Sequence, residues 1–226
     1  MRNLLLAAIV VAAPGTGHAA DIKLKKDDKI VFLGDSITAG GVRPKGYVTL
    51  IKEALAEKHK DLGIEIIGAG ISGNKVPDLQ KRLDKDVLAK KPTIVVIYIG
   101  INDVWHGLKD PSKGTSKEKY EEGLKEIIEK IKKSGAQVIL CTPTVIGEKR
   151  DGTNMGDKPL DEYAEISRKV AKDTDSRLCD LRKAFTQNLG RNNKENEPKG
   201  ILTTDGVHLN DNGNKLVAES ILSVLE

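Results

Sequence analysis

Aromatic residues are nearly missing from this chain: two Phe, four Tyr and one Trp among 226 residues, or 3%. A core with so few rings has to be filled by Ile, Leu, Val and Ala, and a bound flavin would find little to flank it. Histidine is also scarce, with four copies, and only two cysteines occur, Cys141 and Cys179. Donors this few and scattered make no metal cluster, so no metal and no cofactor is expected. Charge of one sign is lacking too. Lys and Arg total 37 against 33 Asp and Glu, and the two signs are interspersed instead of forming a stripe, which gives no support to a nucleic-acid face. The apolar run at residues 4–13 is ten residues long, about half of what a bilayer requires, so stable membrane association is not expected.

That run reads instead as the centre of an export signal. Arg2 precedes it, Pro14-Gly15 breaks it, and Gly17 and Ala19 place small residues where a signal peptidase cleaves. Residues 1–20 are therefore expected to be a signal peptide cut after Ala19, sending the chain to the periplasm or outside the cell. Residues 21–226 suit one α/β domain in length. An oxidising destination permits a Cys141–Cys179 bridge; strand alternation leaves that bridge and two buried thiols equally open.

Short β-branched and aliphatic runs at residues 30–33, 64–67, 94–99 and 138–140, and around Leu178, are closed by Gly, Pro or Asp and read as five strands. Helical spacing fills the intervals at 47–59, 76–88, 160–173 and 212–225. It is clearest in Tyr120, Leu124, Ile127, Ile128 and Ile131, after a capping box at Thr115-Ser-Lys-Glu118 and before Ser134-Gly135. Alternating strands and helices predict a parallel sheet covered on both faces, with the flavodoxin-like order 2-1-3-4-5. Two polar stretches, 144–158 and 187–203, read as long loops shaping the entrance to a site.

Four blocks carry chemistry: Gly34-Asp35-Ser36, Gly73-Asn74, Gly100-Ile101-Asn102-Asp103 and Asp205-Gly206-Val207-His208. The first three follow predicted strands, where an open α/β sheet presents residues to a ligand. Ser36 is the expected nucleophile and His208 the base that activates it. Asp205, three positions earlier, is placed to orient the ring of His208. The backbone N–H groups of Ser36 and Gly73 and the amide of Asn102 are the expected oxyanion donors. Asp35, Asn74, Asp103 and Trp105 flank these blocks and are the expected substrate-binding residues.

As a set, the blocks resemble those of the SGNH hydrolases of the GDSL esterase group, and the match runs over nearly all of residues 21–226. Gly-Asp-Ser-Ile-Thr at 34–38 resembles the family's nucleophile block, and Gly73 within Ile-Ser-Gly-Asn its glycine block. Gly-Ile-Asn-Asp at 100–103 resembles the asparagine block, and residues 205–208 the last one. The resemblance implies the same roles for Ser36, Gly73, Asn102, Asp205 and His208, a three-layer α/β/α fold with five parallel strands, and hydrolysis of carboxylic esters. The two polar loops offer few large aliphatic residues to line an acyl groove, so short acyl groups, acetyl foremost, on a glycan or another polar carrier are the expected substrate. A lysophospholipase or thioesterase of the same family is the alternative. A phosphate-cradling, nucleotide-binding module would leave Asp205 and His208 without a role, and a metal-dependent phosphoesterase lacks the ligands.

Overall fold

The structure, a computed structural model, describes residues 21–225; the expected signal peptide lies outside the described residues. The apolar runs become β1 (Lys29–Gly34), β2 (Glu65–Gly70), β3 (Ile94–Tyr98), β4 (Gln137–Cys141) and β5 (Arg177–Cys179). All pairings are parallel, and the strands lie in the order β2-β1-β3-β4-β5. This is the α/β fold with a five-stranded parallel sheet that the alternating pattern predicts. Every residue of β3 is buried, as a strand covered on both faces requires, and that burial explains its unbroken run of apolar side chains.

Among the described residues, eight α-helices connect and cover the strands: α1 (Ser36–Gly41), α2 (Tyr47–Lys58), α3 (Val76–Asp86), α4 (Ile101–Trp105), α5 (Lys117–Lys133), α6 (Asp157–Asp173), α7 (Leu181–Asn192) and α8 (Asp211–Leu225). Helix α3 packs on α5 and α5 on α6, whereas α2 packs on α8 and α8 on α7. The core is aliphatic, with Tyr47, Tyr98, Tyr120, Phe32 and Phe185 as its large buried rings. Cys141 and Cys179 are register partners on β4 and β5; both are buried free thiols in the structure.

The structure corrects several boundaries. The stretch at 187–203 is not all loop, because α7 continues to Asn192. Asp180 caps α7 by accepting from the Lys183 N–H, and Leu181, Phe185 and Leu189 bury one face of it; the polar residues between them conceal the four-residue spacing. Helix α6 starts at Asp157, which shortens the other loop. The cap of α5 is Ser116, not Thr115: the Ser116 hydroxyl accepts from the Lys119 N–H, while Thr115 is buried with its own N–H donating to the Asp103 carbonyl.

Helix α1 reaches the sheet through a glycine. A methyl group at Gly70 would stand 2.2 Å from the Ala39 nitrogen and 2.7 Å from the Asp35 carbonyl oxygen, both immovable backbone. Gly70→Ala is therefore expected to cost about 3 kcal/mol or more. Gly190→Ala, in α7 with nothing within 4 Å of the added carbon, should be neutral or stabilising by up to about 1 kcal/mol. Urea midpoints of the two variants measure the contrast; equal midpoints would show that α1 has room to move.

Candidate active site

Sheet order alone brings the first three blocks together. Ser36 opens α1 directly after β1, the Gly73 turn follows β2, and Asn102 lies in α4 directly after β3. Since β1 lies between β2 and β3, the three loops leave the same edge at the switch point, where chain connections diverge and leave a crevice. Asp35 starts α1 by accepting from the Ile37 N–H at 2.9 Å, which sets Ser36 at the first helical position.

The fourth block comes from the loop before α8. His208 Nε2 lies 3.0 Å from Ser36 Oγ, and its Nδ1 lies 2.7 Å from Asp205 Oδ2. The other carboxylate oxygen, Oδ1, accepts from the Val207 and His208 backbone N–H groups at 2.9 and 2.8 Å. One side chain thus folds the loop and orients the ring. Partial burial pushes the Asp205 carboxyl up, but the hydrogen bonds from the His208 ring and from this backbone outweigh it and hold the group below its ordinary value. An ionised Asp205 accepts a hydrogen bond from Nδ1–H and so leaves the Nε2 lone pair facing the serine.

Asn102 joins the other blocks. Its Nδ2 donates to the Asn74 carbonyl at 3.1 Å and faces Asp35 Oδ2 at 3.4 Å, the second contact being long for a hydrogen bond. Gly73 has φ of 78°, a left-handed conformation that glycine adopts without strain. Among the described residues, neither the Ser36 nor the Gly73 backbone N–H donates to another group. Two backbone donors are therefore free, and the Asn102 amide has one loosely held proton.

Two expected substrate contacts are covered, and a third has its side-chain oxygen engaged by a neighbour. Asp35 and Asp103 are 2% and 1% exposed, so neither can reach a ligand: Asp35 caps α1, and Asp103 Oδ1 accepts from the Val76 N–H that begins α3. The Asn74 side chain accepts from Arg82 Nε at 2.7 Å. Trp105 is the exception, 39% exposed with its ring centroid 6.4 Å from that of His208 in an edge-on arrangement. A polar cleft of about 490 Å³ opens beside Ser36 and His208, walled by Gly40, Arg43, Thr204, Asp211 and Asn214. No group of three His, Cys, Asp or Glu that could hold a metal occurs among the described residues.

Sequence reasoning missed Arg82, which donates to the carbonyls of Gly34 and Ala69 as well as to Asn74. It ties the ends of β1 and β2 to the glycine turn. The signal available was a lone arginine among the lysines of α3, four residues before Asp86, with which it pairs at 3.1 Å.

Comparison with known proteins agrees with this geometry. The profile of the GDSL-like Lipase/Acylhydrolase family matches residues 32–216. The chain belongs to that family, the SGNH hydrolases, and is an acylhydrolase. An acetylxylan esterase of Geobacillus stearothermophilus is 33% identical over 216 residues, spanning 89% of this chain and 95% of that protein. The crystal structure of the acetyl xylan esterase AlAXEase superposes with a TM-score of 0.84 at 46% identity, over 88% of this chain and all of that one. The Geobacillus esterase Axe2, described as an acetyl-xylooligosaccharide esterase, gives 0.80 at 32% identity, over 90% and 96% of the two chains. Solved catalytic mutants of Axe2 replace a serine, a histidine and an aspartate by alanine, the last two three positions apart.

Two buried carboxyls near the site link stability to pH. Burial pushes Asp35 from 3.8 up to about 7 and Asp103 up to about 6, each against opposing hydrogen bonds. With folded values above unfolded ones, their stabilisation is complete below about pH 4 and declines as pH rises toward 6 and 7. Asp35→Asn and Asp103→Asn should each flatten the decline between pH 4 and 7, by an amount on the order of a few kcal/mol. Urea titrations across that range measure it; parallel slopes in variant and parent would overturn it.

Proposed function

We propose that this acylhydrolase is a serine esterase that removes acetyl groups from carbohydrate, acting on acetylated xylo-oligosaccharides or chemically similar glycans after export. The observation that carries the reading is the aligned path from Ser36 Oγ through both nitrogens of His208 to Asp205, with steps of 3.0 and 2.7 Å.

In this reading His208 Nε2 takes the Ser36 proton as Oγ attacks the acetyl carbonyl carbon. Asp205 stabilises the imidazolium that forms. The N–H groups of Ser36 and Gly73, with the Asn102 amide, bind the negative oxygen of the tetrahedral intermediate. His208 then gives that proton to the sugar oxygen as its bond to the acetyl carbon breaks, so that the sugar departs as a hydroxyl and acetyl remains on Ser36. Water, deprotonated by His208, releases acetate and restores the serine. The three residues replaced in the Axe2 catalytic mutants are of the same types, and the Asp205–His208 spacing equals the spacing there.

Support for a short acyl group comes from the cleft, whose wall is mainly glycine and polar side chains with Ile37, Pro44 and Leu209 as its larger apolar members. A fatty acyl chain would need a continuous apolar lining. Support for a sugar carrier comes from Trp105, exposed beside the base, and from relatives described as acetylxylan and acetyl-xylooligosaccharide esterases.

The test is hydrolysis of p-nitrophenyl acetate, butyrate and octanoate and of acetylated xylo-oligosaccharides by residues 21–226. Rates are expected to fall with chain length, to survive chelator and to vanish in Ser36→Ala. Asn102→Ala should lower kcat by about two to three orders of magnitude. A rate rising toward octanoate would favour the lysophospholipase or thioesterase reading instead.

A further inference from the structure

Outside the triad, Glu148, in the loop between β4 and α6, is tied to the segment that leads into Asp205 and His208. Its side chain is 0% exposed and has no cationic partner among the described residues. Burying a carboxylate without one is costly unless other donors satisfy it. The donors all come from one segment: Oε2 accepts from the Ile201 N–H at 2.7 Å, and Oε1 from the Leu202 N–H at 2.8 Å, the Thr203 N–H at 2.5 Å and the Thr203 hydroxyl at 2.7 Å. Three successive backbone N–H groups converge on this anion as they would on a bound one.

The same segment leads directly into the base. Thr203 Oγ, while donating to Glu148, accepts from the Gly206 N–H at 3.0 Å, and the Gly206 carbonyl accepts from the Gly147 N–H at 2.8 Å. Thr204 N–H donates to the His208 carbonyl at 2.8 Å. The backbone of Glu148 adds two further ties: its N–H donates to the Pro198 carbonyl, and its carbonyl accepts from the Asn193 amide. Asp205 and His208 belong to no strand or helix, so these bonds fix their loop to the sheet through the chain that leaves β4.

We propose that Glu148, acting through Thr203, is the positioning residue of the catalytic loop: it sets where His208 stands relative to Ser36. The inference rests on the reading of Asp205 and His208 as orienting carboxylate and base. A displacement of about 1 Å at a reacting group costs on the order of 100-fold in rate, and loss of the carboxylate removes the four hydrogen bonds that hold Ile201, Leu202 and Thr203 in place.

The test compares Glu148→Gln, Thr203→Val and Thr203→Ser with the parent, Ser36→Ala and His208→Ala. The readouts are kcat and KM for p-nitrophenyl acetate, labelling of Ser36 by a fluorophosphonate, and melting temperature. Glu148→Gln, which turns N–H donors toward backbone N–H donors, is expected to lower kcat about 100-fold with KM within about threefold. Thr203→Val should lower kcat and the labelling rate together by about tenfold, and Thr203→Ser should restore both. If Glu148→Gln does not fold, the Thr203 pair decides alone. Parent-like kcat in folded Glu148→Gln or Thr203→Val, with Ser36→Ala and His208→Ala inactive, would overturn this inference and leave the esterase reading intact. So would equal losses in Thr203→Val and Thr203→Ser that follow their melting temperatures. Activity surviving in Ser36→Ala and His208→Ala would overturn the esterase reading itself.

Discussion

The register of β1 between its two neighbours is the constraint on which the site depends. Gly34 pairs with Gly70 on one side and with Tyr98 on the other, so the three strands end in one row and their loops start level. Ser36, the Gly73 turn and Asn102 follow within a few residues. A slip of one residue would turn every side chain of β1 to the opposite face of the sheet and set Ser36 out of line with the other two blocks. The glycines at the row's ends let α1 lie close against β2, and Arg82 fastens the Gly34 and Ala69 carbonyls to the glycine turn.

The two halves of the site are held by different means. Ser36, Gly73 and Asn102 rest on hydrogen bonds of the sheet and on helix starts, such as the Asp35 cap of α1 and the Asp103 contact with the start of α3. Those carboxyls are deeply buried, and their raised proton affinity follows from their place beneath the crevice. His208 and Asp205 instead ride on a loop held by side-chain hydrogen bonds, from Asp205 within it and from Glu148 on a neighbouring loop to the segment just before it. A rigid platform faces a fastened flap across 3.0 Å.

This division also decides what was legible in the sequence. The strands and their order could be read because a doubly covered sheet demands unbroken apolar runs such as Ile94–Tyr98, which no other environment here requires. The contact between Asp205 and His208 was legible because the two carry their relation in a three-residue spacing. Contacts between distant polar residues leave no such period. Nothing near Glu148 announces that its partners lie at 201–203, and Arg82 looks like one more charge on a solvated helix. Asp35 and Asp103 resemble surface residues in composition and are buried in fact, because a carboxylate that caps a helix beside the crevice is covered by what the crevice is made of. Helix α7, which is not among the helices expected from sequence, was hidden for a related reason: three apolar positions suffice for a helix that buries a narrow stripe.

Because the base arrives from the last part of the chain, the order of synthesis has a chemical consequence. When the first 203 residues have emerged, the strands, α1 and the glycine turn are all present, and the serine and its oxyanion donors exist as sequence. The proton acceptor does not. In the proposed mechanism a growing chain cannot attack esters until the segment that carries His208 has docked against the loop after β4. On that reading, catalytic competence reports that the segment from Asp205 onward has folded into place.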